Sequence, residues 1–143
     1  MGIAAIIDKT GGPEEIGFRE VALPPPGKGE VRLRQTVIGV NFIDTYHRNG
    51  LYPLPLPHGL GVEAVGVAEA VGDGVTRFRP GDRAGYFASS PGAYAGERNL
   101  PASLLFSIPD DIADALAAAA LLKGCTVECL VERCGKVQPG QTV

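Results

Sequence analysis

No stretch of these 143 residues stays apolar for long enough to cross a bilayer, and neither sign of charge dominates. The 13 Lys and Arg against 16 Asp and Glu leave a net charge of −3. That balance excludes a generally basic, phosphate-binding surface as the main activity, and with it nucleic acid as the expected partner. The apolar start, Gly2 to Ile7, lacks a basic flank and is cut by Asp8, so neither a signal peptide nor a membrane anchor is expected there. Cysteine is scarce and odd in number: Cys125, Cys129 and Cys134 crowd near the end. A secreted disulfide framework is even-numbered and spread out, so a reducing cytoplasm is the expected compartment. The chain is also short. A two-domain, cofactor-dependent enzyme of the doubly wound type needs roughly twice this length.

Turn formers are abundant instead, with 20 Gly and 12 Pro beside 45% hydrophobic residues. Such a chain can bury a core, and its Gly and Pro then mark turns between short elements. Strands are expected over Ile3 to Ile7, Phe18 to Leu23 and Glu30 to Val40. The third alternates, with Val31, Leu33, Gln35 and Val37 on one face and Arg32, Arg34 and Thr36 on the other. Asn41 to Arg48 reads as a short helix or turn before Gly50, and the three prolines of Leu51 to Pro57 make an irregular connector. Further strands are expected over Val62 to Val71, Arg83 to Phe87, Ala93 to Leu100 and Leu104 to Ile108. The pattern is that of a small barrel or sandwich. After Pro109 it becomes helical. Asp110 or Asp111 is the expected cap, Asp114 suits the first turn, and Gly124 stops the Ala-Leu run Ala115 to Leu122. A second helix is expected over Thr126 to Cys134.

Gly59-Leu60-Gly61-Val62-Glu63-Ala64 fits the G-x-G-x-x-A dinucleotide pattern literally. That pattern needs a strand before it and a helix after, whereas a Pro-rich connector precedes this one and a strand-like run follows. The match is a decoy. Cys125 and Cys129 share a helical face, but Cys134 is rotated by about 140° from Cys129, so the three do not converge on one ion. His47 and His58 have no cysteine near them in sequence, and no metal is expected. The densest cluster of polar and aromatic groups is Asn41-Phe42-Ile43-Asp44-Thr45-Tyr46 with Tyr52. It fits a ligand cleft at the mouth of a β-domain, and equally a capped helix start with half-buried tyrosines.

Several of these segments resemble the NADPH-dependent quinone oxidoreductases of the medium-chain dehydrogenase/reductase superfamily. They are Val40 to Tyr46 with Gly50-Leu51-Tyr52-Pro53, Gly59 to Ala64, Gly81-Asp82-Arg83, Gly92-Ala93-Tyr94 and Leu122-Lys123-Gly124-Cys125-Thr126-Val127. The resemblance implies a mainly β fold, a GroES-like β-barrel with short helices over residues 1–109. A helical connector over 110–143 would lead to a Rossmann domain that this chain lacks. It also implies zinc independence, because zinc-dependent relatives carry a cysteine at the position of Asn41 and a histidine at that of Val62. Asp44 and Glu63 stand where those relatives keep acids behind the metal; here they are expected to orient backbone and polar groups.

By the same resemblance, Asn41, Phe42, Ile43, Asp44, Thr45 and Tyr46 line the cleft at the nicotinamide-ribose end of NADPH. Tyr46 and Tyr52 face nicotinamide and substrate as the catalytic candidates. Lys123 and Thr126, at a break between two helices, approach the cofactor from the other side. Cys129 stands on that side too, where the family often has an aromatic ring. The implied reaction is hydride transfer to a quinone, an enone or a halogenated acrylate, with the whole protein a homodimer. The competing reading is a stand-alone GroES-like binding module without catalysis. This fragment is expected to be inactive by itself.

Overall fold

Among the described residues, turn residues cut the chain up to Ser107 into eight short strands, all paired antiparallel. The computed structural model describes residues 2–88 and 90–142. Strand β1 (Gly2–Ile7) pairs with β2 (Gly17–Val21) and with β4 (His58–Gly59) in a three-stranded sheet. A five-stranded sheet runs in the order β7 (Glu97–Pro101), β3 (Glu30–Gly39), β5 (Glu63–Val71), β6 (Arg83–Phe87), β8 (Phe106–Ser107). An isolated antiparallel bridge pairs Ala4 of β1 with Ala95, two residues before β7. Helix α1 (Phe42–Asn49) follows β3, and helix α2 (Asp114–Glu128) closes the fold before a π-type turn over Cys129–Cys134. Among the described residues no helix is long and apolar enough to cross a membrane.

Strand β5 shows why the run after Gly61 has no polar alternation. Ala64 and Ala68 face a core with Val31, Leu33, Phe78, Tyr86, Leu100 and Leu105. Val65 points the other way, into a second cluster with Ile108 and the α2 residues Ala117 and Ala118. A strand covered on both faces reads as continuously apolar. Each large side chain sealed in these clusters contributes roughly 1.5–3 kcal/mol. Helix α2 lies close because β6 carries Gly85 beneath it, where a Cβ would meet Leu121 at 3.2 Å and Val65 at 3.1 Å.

Several sequence expectations change. Val37 does not share a face with Leu33. A register shift between Gln35 and Val37 puts Ile38 against the main core and Val37 against the α2 cluster. One extra residue in a strand reverses the phase of everything after it. Gly124 does not stop α2, which runs unbroken to Glu128, so Lys123 and Thr126 lie within one helix rather than at a break. Tertiary packing outweighs the roughly 1 kcal/mol cost of an interior glycine. Thr126 to Cys134 is therefore the end of α2 plus the π-type turn, not a separate helix. Neither Asp110 nor Asp111 caps α2; Ala113 holds that position without a side-chain bond. The strands expected over Ala93 to Leu100 and Leu104 to Ile108 contract to β7 and β8.

Asp114, in the first turn of α2, ties the helix to the sheet. Its carboxylate accepts from Thr36 Oγ1 at 2.6 Å and from Arg83 Nε at 3.0 Å. The Thr36 hydroxyl and then the Arg83 guanidinium hold this carboxyl below its ordinary value. A depressed folded value means that the contribution is complete above about pH 4 and is lost as pH falls further. Asp114→Asn is expected to cost about 1 kcal/mol at pH 7. In urea titrations the gap to wild type should narrow toward pH 3.5, and a constant gap would assign the effect to packing.

Candidate active site

Helix α1 begins with a capping box, Asn41 at the N-cap and Asp44 at the third helical position, and ends at Gly50 in the left-handed region. Asp44 is buried, and its Oδ2 accepts the Asn41 backbone N–H at 2.9 Å and the Tyr94 hydroxyl at 2.8 Å. Burial and the bond to this carboxylate push the Tyr94 phenol far above its ordinary value, so it stays a neutral donor. The Gly59-x-Gly61 pair serves this arrangement rather than a nucleotide. A Cβ on Gly59 would lie 2.9 Å from Gly92 Cα. Gly61, at φ +85°, leaves room for the Tyr94 ring, which a Cβ would meet at 2.2 Å.

The centre of the site is Glu63, the first residue of β5 and only 1% exposed. Its Oε1 accepts from Asn41 Nδ2 at 2.7 Å and from Lys123 Nζ at 2.8 Å, while Oε2 accepts the Leu122 N–H at 3.2 Å. Lys123 Nζ also donates to Asn41 Oδ1 at 2.9 Å, closing a triangle across α1, β5 and α2. A buried carboxylate is tolerable only with partners of this kind, and here it has an ammonium, an amide and a backbone donor. Gly39, opposite Glu63 in the β3–β5 register, supplies the space. A Cβ there would sit 2.4 Å from Glu63 Cγ.

Beside the triangle lies a cleft of about 730 Å³ lined by Asn41, Phe42, Ile43, His47, Val62, Phe87, Ala88 and Leu122. Phe42, Tyr46 and Tyr52 form a chain of edge-to-face rings next to it, with centroids 5.3 Å apart at each step. Apolar walls with few polar groups suit a flat organic ligand.

The sequence profile of the alcohol dehydrogenase GroES-like domain matches residues 27–110, which span β3 to β8 and hold Asn41, Asp44 and Glu63. The chain belongs to this family. The GroES-like chain is 46% identical over 134 residues to a quinone oxidoreductase from Pseudomonas aeruginosa, covering 93% of this chain and 41% of that protein. It is 45% identical over 150 residues to a 2-haloacrylate reductase from Burkholderia, covering 100% of this chain and 45% of the relative. It superposes with a TM-score of 0.94 on a crystal structure of Escherichia coli quinone oxidoreductase complexed with NADPH, at 40% identity, covering 97% of this chain and 43% of that one. The GroES-like chain thus spans less than half the length of these relatives.

Within the GroES-like chain, the expected site residues do not all converge. Asn41, Phe42 and Ile43 line the cleft, Asp44 holds α1 from behind, and Lys123 joins Asn41 across the triangle. Tyr46 and Tyr52 stand beside the cleft, and neither hydroxyl is hydrogen-bonded to the described residues. Thr45 and Thr126 turn their hydroxyls back onto their own helices, to Phe42 O at 2.7 Å and Leu122 O at 2.9 Å. Cys129 is exposed at the end of α2, away from the cleft lining. His47 is a lining residue that sequence reasoning weighed only as a metal ligand, and dismissed as one; its signal was its place one turn after Asp44.

Proposed function

We propose that the chain forms the substrate-facing half of a zinc-independent, NADPH-dependent reductase of quinones or conjugated carbonyls. The observation that carries this reading is the apolar cleft with the Asn41–Glu63–Lys123 triangle at its edge. NADPH, when bound, supplies the hydride. The residues present fit its nicotinamide-ribose end: Asn41, Phe42 and Ile43 offer one wall, and half-exposed Lys123 and Thr126 stand on the facing helix. Asp44 and Thr45 support that wall, and Cys129, exposed at the end of α2, is not among the lining residues.

The chain's own work is alignment and exclusion of water. Ile43, Val62, Phe87, Ala88 and Leu122 give a flat acceptor apolar contact, and the ring chain of Phe42, Tyr46 and Tyr52 walls one side. The uncommitted Tyr46 and Tyr52 hydroxyls are free to donate to an oxygen that gains charge. Zinc independence is supported by the donor chemistry. Asn41 brings an amide and Val62 an isopropyl group, and Glu63 is already paired with the Lys123 ammonium.

A chimaera tests the whole reading. Replacing the corresponding N-terminal segment of the E. coli quinone oxidoreductase with this chain should give NADPH oxidation that depends on a quinone or enone and resists zinc chelators. A folded chimaera that binds NADPH but reduces neither class of acceptor would refute it.

A further inference from the structure

Helix α1 and the neighbouring β4 carry three buried polar atoms without a hydrogen-bond partner: Asp44 Oδ1, His47 Nδ1 and His58 Nε2. Native interiors rarely leave such atoms unpaired, so each one asks for a reason. The Asp44 carboxylate is otherwise engaged by Asn41 and Tyr94, and His58 Nδ1 is 2.8 Å from the Gly59 carbonyl. His47 is different. It is 6% exposed, and neither of its ring nitrogens bonds to any described residue, yet the ring lines the cleft.

The sealed Nδ1 decides the tautomer. A buried N–H without an acceptor is seldom found, whereas a bare acceptor nitrogen is better tolerated. The proton is therefore assigned to Nε2. Burial and the nearby His58 push the ring below the usual histidine value, with Asp44 pulling the other way, so the imidazole is neutral. The remaining lining gives it no competitor. Phe42, Ile43, Val62, Phe87, Ala88 and Leu122 are apolar, and the Asn41 amide is engaged by Glu63 and Lys123.

We infer that His47 is a substrate-binding residue whose Nε2–H anchors a carbonyl oxygen of a planar acceptor seated in this cleft. The inference rests on reading the cleft as the quinone or enone site, and adds to it a polar anchor distinct from Tyr46 and Tyr52. The anchor is a hydrogen bond to a preformed acceptor, so no bond is made or broken.

Long-range proton–nitrogen correlation spectra of the ¹⁵N-labelled 143-residue chain read the tautomer directly, before any ligand is added. The expected pattern at neutral pH is Nε2–H, and an Nδ1–H pattern overturns the inference. Duroquinone is then titrated in, because its fully methylated ring resists addition by the three free cysteines. The His47 Nε2 resonance should move with the rings of Phe42 and Phe87. His47→Leu should weaken binding roughly tenfold, and His47→Gln, which keeps a donor, should recover part of the loss. Movement of Phe42 and Phe87 with His47 unmoved overturns the anchor while leaving the cleft reading intact. Silence at all three overturns both.

Discussion

Gly39→Ala should lower stability by about 3 kcal/mol, far more than an alanine usually costs at a strand end. Gly39 has no left-handed backbone to defend; its role is space. A Cβ would lie 2.4 Å from Glu63 Cγ and Oε1 and 2.5 Å from Cδ. An exposed glutamate would swing away at little cost, but Glu63 is sealed, so the new methyl must displace the carboxylate from Asn41, Lys123 and Leu122 together. Overpacking strain and unpaired buried charge then add. Gly74→Ala is the control: its φ is +80° with no atom within 4 Å of a Cβ, so it bears backbone strain alone, about 1 kcal/mol. Glu63→Ala removes the obstruction, so in that background Gly39→Ala should cost clearly less than in wild type. Equal urea midpoints for Gly39→Ala and Gly74→Ala would mean that Glu63 yields freely.

The glycine and its acid show what a linear reading can and cannot reach. The mainly β fold was legible because strand runs and turn residues are local signals, and β3, β5 and β6 fall close to their expected places. The decoy reading of Gly59 to Ala64 also stands, since β5 rather than a helix follows it. The bulge at Gln35 to Val37 was invisible, because nothing in the residues announces an extra one in the register. So was the continuity of α2 through Gly124, which depends on packing against β3, β5 and β6. The cleft was half legible. Asn41 to Ile43 came from one motif, but Val62 reaches it from just before β5 and Phe87 and Ala88 from the end of β6, positions far apart along the chain. Glu63 could be marked as an acid inside an apolar run. Its partner Lys123 lies 60 positions away, and only the fold brings the two together.

That long-range pair underlies the second large effect. Lys123→Met should cost about 2 kcal/mol, less than the roughly 3–5 kcal/mol of breaking a fully buried pair, because the Lys123 side chain is 50% exposed. The loss comes from Glu63, left at 1% exposure with only the Asn41 amide and the Leu122 N–H as partners. Glu63→Gln removes the charge and keeps the shape, so it should cost about 1 kcal/mol by itself. The double variant should then be no less stable than Glu63→Gln alone, since a neutral amide has little need of an ammonium. Strict additivity in urea melts would place the cost in the lysine stem rather than the charge pair. The outcome bears on function as well as stability. Lys123 Nζ and Glu63 Oε1 together fix which way the Asn41 amide points, so losing either lets that group turn at the wall of the cleft. In the chimaera, Lys123→Met should therefore raise KM for NADPH more than it lowers kcat, because the residue orients a binding group and touches no reacting atom.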